Sequence, residues 1–205
     1  MKEKYIKILL WPLILFLSYL VINSINSEIT FQKEAKIRID QNVQKLKDLR
    51  LLQVAYKKAN NEFCDNFDTL MKFYFNDSLF IVKAEGETPD SLTDKQALEM
   101  GIISRDTSYV SVRETLFDEV YKKTRNNSFP IDENNMTKIP FADINYNIDA
   151  GVINKGNVNV QVFEISATYK NVLFGLNAKN KKYDLEKLLK VGSMNEASLN
   201  GNWGE

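Results

Sequence analysis

The chain has 205 residues, with 27 basic and 27 acidic side chains and no histidine. The balance of charge leaves no overall field to draw nucleic acid, and the missing imidazole excludes the usual serine and cysteine triads and every histidine base or metal ligand. A single cysteine, Cys64, rules out an intramolecular disulfide and cannot alone build a zinc or iron–sulfur site.

Lys2, Lys4 and Lys7 precede an apolar run, Ile8 to Ile22, broken only by Pro12 and Ser18. Counted from Tyr5 it is about 18 residues, or roughly 27 Å as a helix, just enough for a hydrocarbon core. The side chains expected in lipid are Ile8, Leu9, Leu10, Leu13, Ile14, Leu15, Phe16, Leu17, Leu20, Val21 and Ile22. Lysines stand on one side and the next basic residue is Lys33, which predicts a single pass of the inner membrane over 8–24. Residues 1–7 then lie in the cytoplasm and the bulk of the chain outside it. Tyr5, Trp11 and Tyr19 can sit near the interfaces, and Pro12 is expected in the first turns, where its missing N–H costs least. A cleaved signal peptide has the same outline, but "NSINSE" lacks an A-x-A-like site, so an uncleaved signal anchor is expected.

From Glu28 to about Asn60 there is no proline or glycine and charge is dense, so residues 25–60 read as a long amphipathic helix outside the membrane. Its apolar stripe is Ile39, Val43, Leu46, Leu49, Leu52 and Tyr56, thinning to Ile29 and Ala35 upstream. Two partners fit the stripe: the chain's own globular domain, or a second helix in a coiled coil or dimer. Asn60 and Asn61 end the helix, and Asp65 or Asn66 caps another running from Phe67 to about Phe75, with Phe67, Leu70, Met71 and Tyr74 on one face. Cys64 reads as a partly buried residue near a helix end, because no basic residue follows it within five positions.

Residues 61–192 form the head. "SLFIVKAEG" reads as a strand and "GETPDSLTD" as a loop; Thr93 and Gln96 make a capping box, and Gly101 closes that short helix. "TSYVSVRETLF" suggests a strand that includes Val112, followed by a short helix to about Lys123. "ADINYNIDAGVI", Asn154 to Asn157 and "VNVQVFEISATY" read as a hairpin, with a bulge where the apolar phase shifts at Val162 and Phe163. "LEKLLK" reads as a last helix and residues 193–205 as a loose tail. The expected class is α+β: a transmembrane helix continuing into a long amphipathic helix, then a small domain with an antiparallel sheet flanked by short helices.

Acidic groups recur at Asp65/Asp68, Glu85/Glu87/Asp90 and Asp132/Glu133/Asn134, but their spacing fits no EF-hand loop and the distal glutamate is missing. G-x-S-x-G, phosphate-loop and G-x-G-x-x-G patterns are absent. Three glycosylation-type triplets, at Asn76, Asn126 and Asn135, are what an Asn-rich chain produces by chance. The expectation is a non-enzymatic protein without cofactor or metal, whose partners are the membrane and either other proteins of an envelope assembly or further copies of itself.

The succession of apolar anchor, long helix and small α+β head resembles the bitopic inner-membrane assembly proteins of type IV pilus and type II secretion machines. It is also similar to the pilins and pseudopilins, in which a tyrosine, an Asn/Gly turn and an aromatic mark the end of the first helix, as Tyr56, Asn60, Asn61 and Phe63 do here. The chain departs from pilins in lacking a Gly-Phe processing site and a glutamate five residues into the apolar segment. These resemblances imply a scaffold or structural subunit, with a pilin-like filament subunit or a secreted ligand-binding domain as alternatives.

Overall fold

The computed structural model describes residues 2–87, 89, 92–178 and 182–204, apart from the side chains of 2–9, 81–85 and 105–107. It is α+β. One helix, α1, runs unbroken over Lys2–Asn60, so the membrane segment and the long amphipathic helix are a single element of 59 residues. Because it begins at Lys2, Pro12 lies inside it rather than in the opening turns, and its ring removes the bond to the carbonyl of residue 8. α1 ends where Asn61 turns left-handed, at φ 63°. Lys57 and Lys58 stand in its last turn, where cations suit the helix dipole.

The loop after α1 returns the chain against it. Gln53 is fully buried and holds Cys64 from both sides: its amide donates to the Cys64 carbonyl at 2.7 Å, and the Cys64 N–H donates to its Oε1 at 3.0 Å. A side chain thereby replaces the backbone partners that an irregular buried segment lacks. Asn66 then caps α2 (Phe67–Asn76) by accepting from the amides of Asp68 and Thr69. α2 buries Leu70, Phe73 and Tyr74.

β1 (Ser78–Glu85) and β2 (Ser104–Ser111) pair antiparallel from Ser78 opposite Ser111 to Glu85 opposite Ser104. α3 (Asp94–Glu99) sits between them behind the Thr93–Gln96 capping box, and Gly101 takes φ 69° after it. β2 stops at Ser111. Val112, expected in the strand, instead opens α4 (Val112–Leu116), where it is fully buried on the core side; α5 follows over Glu119–Thr124 behind the Asp118 cap.

The second sheet has the order β3 (Asn147–Lys155), β4 (Val158–Thr168), β5 (Leu188–Gly192), all antiparallel. Gly156 and Asn157, at φ 59° and 67°, form the two-residue turn that the twist of a tight hairpin requires. The register from Asn147 opposite Ser166 to Lys155 opposite Val158 is continuous, so the expected bulge is absent. The apolar phase shift arises because β4 is central and buried on both faces, Val162 on one and Phe163, Ile165 and Ala167 on the other.

Two further expectations fail in the same region. The end of the segment "LEKLLK", from Leu188, pairs with β4 as part of β5, because Leu189 and Val191 alternate into the core, and that period-2 burial outweighs the helical spacing of Leu185, Leu188 and Leu189. The tail returns along β5: Val191 bridges Gly201, the Asn202 N–H donates to the Lys190 carbonyl at 3.1 Å, and Trp203 packs on the core. α6 (Tyr169–Val172) links β4 to the loop before β5.

Candidate functional site

Two surfaces and one buried network carry what this fold can do. The first surface is the start of α1. Leu10, Leu13, Ile14, Leu15, Phe16, Leu17, Leu20, Val21 and Ile22 are all exposed, from 45% for Leu10 to 64% for Leu15, which for a run of this composition leaves lipid or another apolar body as the complement. Ile8 and Leu9 belong to α1, but their side chains lie outside the described residues. The helix from Leu10 is long and apolar enough to cross a membrane.

The stripe is already occupied. Leu46, Leu49 and Leu52 are fully buried, and Ile39, Val43 and Tyr56 pack against the same core. Tyr56 meets Phe73 edge-on at 5.1 Å, and Phe63, just past the helix, meets Phe163 of β4 at 4.7 Å. Of the two partners considered, the chain's own head is the one that takes these residues; a dimer seam along them would require the head to open. Burial begins at Phe31 and Ala35, so the part of α1 standing free between the apolar run and the head is short.

Between Asn42 and Gln53, α1 is covered on nearly every side, and its buried polar residues form the network that sequence reasoning missed. Asp48 and Arg125 are 3% and 4% exposed and paired twice, Arg125 Nη2 to Asp48 Oδ2 at 2.7 Å and Nε to Oδ1 at 3.1 Å. Tyr121 Oη donates to the same carboxylate at 2.7 Å and Gln44 Nε2 at 3.2 Å, while Arg125 Nη1 also donates to the Phe129 carbonyl. Burial, reinforced by Asp48, pushes the Tyr121 phenol well above its ordinary range. Nearly two helical turns before Asp48, Tyr146 Oη donates to Asn42 Oδ1 at 2.6 Å, and burial raises that phenol too. Lys45 Nζ donates to the carbonyls of Asn135 and Lys138, at 2.5 Å and 2.6 Å, and desolvation lowers its pKa. Each group has a backbone or side-chain partner, so the network clasps loops to α1. Nothing in the sequence marked Arg125 as the partner of Asp48, since 77 positions separate them.

Beside the network lies a cavity of about 430 Å³ lined by Lys45, Asp132, Lys138 and Asp143, among others. Its charges are matched internally: Lys138 pairs with Asp143 at 2.5 Å and Asp132 accepts from Asn135. Those two bonds hold both carboxylates below their usual range. Of the acidic groups singled out earlier, Glu133 accepts from Tyr74 Oη at 3.0 Å and pairs with Arg113 at 2.6 Å. Asp65 and Asp68 are exposed; Asp90 and the Glu85 side chain lie outside the described residues. Among the described residues no group of three possible ligands gathers to hold a metal.

The second surface is the β1–α3–β2 arm. Phe80 and Tyr109 stand directly opposite each other on one face, 53% and 76% exposed, and Leu98, Met100 and Ile102 are exposed at its far end. A two-stranded sheet has little stability of its own, and this one is tied to the head through the Val112 N–H donating to the Asp77 carbonyl at 3.0 Å and through α4.

No protein-family model matches the chain, and no curated protein or solved structure is significantly similar to it.

Proposed function

We propose that the chain is a non-enzymatic, single-pass envelope protein that acts as a scaffold or structural subunit of a membrane-associated assembly. The N-terminus is in the cytoplasm, the head is outside, and the arm carrying Phe80 and Tyr109 meets protein partners. The observation that carries the reading is α1 itself: one uninterrupted helix that is exposed and apolar from Leu10 to Ile22 and whose last third is the axis of the head's core. Such a helix couples the head mechanically to whatever holds its apolar end. The polar groups of the network around Asp48 are consumed by structure, which argues for binding rather than chemistry. The assembly proteins of pilus and secretion machines are the group this architecture resembles, and membership of such a machine is part of the proposal.

A second reading, a pilin-like filament subunit, draws support from the way the last third of α1 packs against a three-stranded antiparallel sheet while its apolar end stays free. Purification from native membranes in mild detergent, with intact mass and co-purifying proteins recorded, separates these readings. An unprocessed N-terminus with stoichiometric membrane partners supports the scaffold; surface polymer with a trimmed N-terminus supports the filament. A soluble species starting near Glu28 with nothing bound would sink both.

A further inference from the structure

We infer that α1 pairs in parallel with α1 of a second copy of this chain, along a seam of Leu15, Ser18, Ile22, Ile25 and Ile29 on the side of the helix away from the head. Resting on the single-pass reading above, the pairing names one partner of the proposed scaffold. The five positions follow one another at spacings of 3, 4, 3 and 4, the a and d positions of a heptad, and all five side chains are exposed.

What covers the seam follows from where it runs. Up to Ile22 the run is apolar all round except at Ser18, as a helix in lipid is. From Asn23 to Thr30 the only apolar residues are Ile25 and Ile29, set among asparagine, serine, glutamate and threonine, yet they are 54% and 61% exposed. A bilayer covers a crossing helix on every side and does not account for one apolar stripe amid polar residues. Nor can this segment lie flat on the lipid, because α1 runs unbroken from the anchor into the head. At about 100° per residue, Phe31 and Ala35, where burial by the head begins, stand roughly 140° around the helix from the seam. The head therefore leaves the seam open to another helix.

Three features select a parallel copy of the same chain. Every copy crosses the membrane in one direction, so two anchors lie parallel and a two-fold axis sets the seam against itself. Glu28 is at g and Lys33 at e of the next heptad, positions that face each other across a parallel pair, so each carboxylate meets the partner's ammonium. Glu28 also accepts from Gln32 Nε2 of its own chain at 2.8 Å, which leaves its charge in place. Ser18, small and polar, falls on the seam inside the lipid, where close backbone approach and an interhelical hydrogen bond suit it better than hydrocarbon does. The seam ends at Lys36, the next a position, which pairs with Asp40 of its own chain at 2.8 Å, and Ile39 beyond it packs on the head.

The test is disulfide capture in the full chain, with Cys64→Ala, in its native membranes. Single cysteines go at Ile25→Cys and Ile29→Cys on the seam and at Ser27→Cys and Thr30→Cys off it, with copper phenanthroline as oxidant. Adducts with the mass of two copies are expected to be several-fold more abundant from 25 and 29 than from 27 and 30. Absent or equal yields at the four positions, or adducts of 25 and 29 with a different protein, overturn the pairing; the scaffold reading stands if membrane partners still co-purify. A soluble species starting near Glu28 overturns both. Ile25→Asn with Ile29→Asn repeats the measurement without cysteine. The purified chain in mild detergent should fall from two copies to one, with its circular dichroism unchanged because both side chains are exposed. A chain that stays at two copies after the change, or is one copy before it, overturns the seam.

Discussion

At the scale of single residues, the head is specified by polar groups buried where an amphipathic reading of α1 would leave them in water. Asn42, Gln44, Asp48 and Gln53 are each less than 10% exposed, and each answers a loop. Their pattern along the sequence is that of an ordinary solvated face, which is why the stripe was legible and the network was not. The Asp48–Arg125 pair makes the sharpest case: removing one partner leaves an uncompensated buried charge, so Asp48→Ala is expected to cost about 3–5 kcal/mol in urea unfolding. Asp48→Leu combined with Arg125→Met should cost clearly less than the sum of the two single changes, and equal costs would mean the pair does not act as a unit. The buried phenols give a second expectation. Tyr74, Tyr121 and Tyr146 keep their protons in the fold beyond the ordinary 10.0, as the Cys64 thiol does beyond 9.0. Between ordinary and raised values the folded state binds more protons, so their stabilisation is complete below about pH 9 and is lost as pH rises above it. Lys45, whose native pKa is lowered, works in the opposite direction over part of that range. Unfolding midpoints measured from pH 7 to 11 should fall above 9 to 10, and Tyr146→Phe should flatten the fall. A flat profile for the unsubstituted chain would contradict the burial of these groups.

At the scale of elements, what was legible was whatever has a strong local signature. The Asn60–Asn61 stop, the Asn66 cap and the Thr93–Gln96 box stand as expected, and so does the existence of the β3–β4 hairpin, though it opens at Asn147 and not at Ala142 and carries no bulge; a side chain or a positive φ enforces each within a few residues. What failed was decided by tertiary burial. β5 shares its apolar residues with a helical pattern, Val112 fits a strand or a helix start, and the tail around Trp203 has only its contact with the sheet edge to place it. The dense charge of α1 was likewise misleading, since Lys45 and Arg38 donate to loop carbonyls of the head. The stripe therefore belongs to the core, and Val43→Asp with Leu46→Asp is expected to unfold the head, since burial of each apolar side chain contributes about 1.5–3 kcal/mol and a buried carboxylate costs more. Circular dichroism and proteolysis of the variant decide the matter. A folded head that has lost only its self-association would return the stripe to an interface between chains.

At the scale of the whole molecule, a head built directly on α1 is oriented by that helix, and this orients the β1–α3–β2 arm relative to whatever holds the apolar run. α1 is a rigid connection, so the arm's position follows from the helix and not from a flexible linker. An aromatic pair left open on a two-stranded sheet is costly to expose and gains from being covered, by side-chain burial over Phe80 and Tyr109 or by backbone pairing along a strand edge. A photo-crosslinking amino acid at Tyr109 or Phe80, introduced into the full chain in its native membranes, is therefore expected to capture a second polypeptide, whereas the same group at Val158, equally exposed at the other hairpin, is expected to capture none. If the adduct is a dimer of this chain, the arm is a self-association surface and the filament reading gains. If it is a different membrane protein, the scaffold reading gains and the adduct identifies the assembly. Absence of any adduct at Tyr109 and Phe80, with the chain intact in the membrane, would remove the arm as the surface on which the proposed function depends.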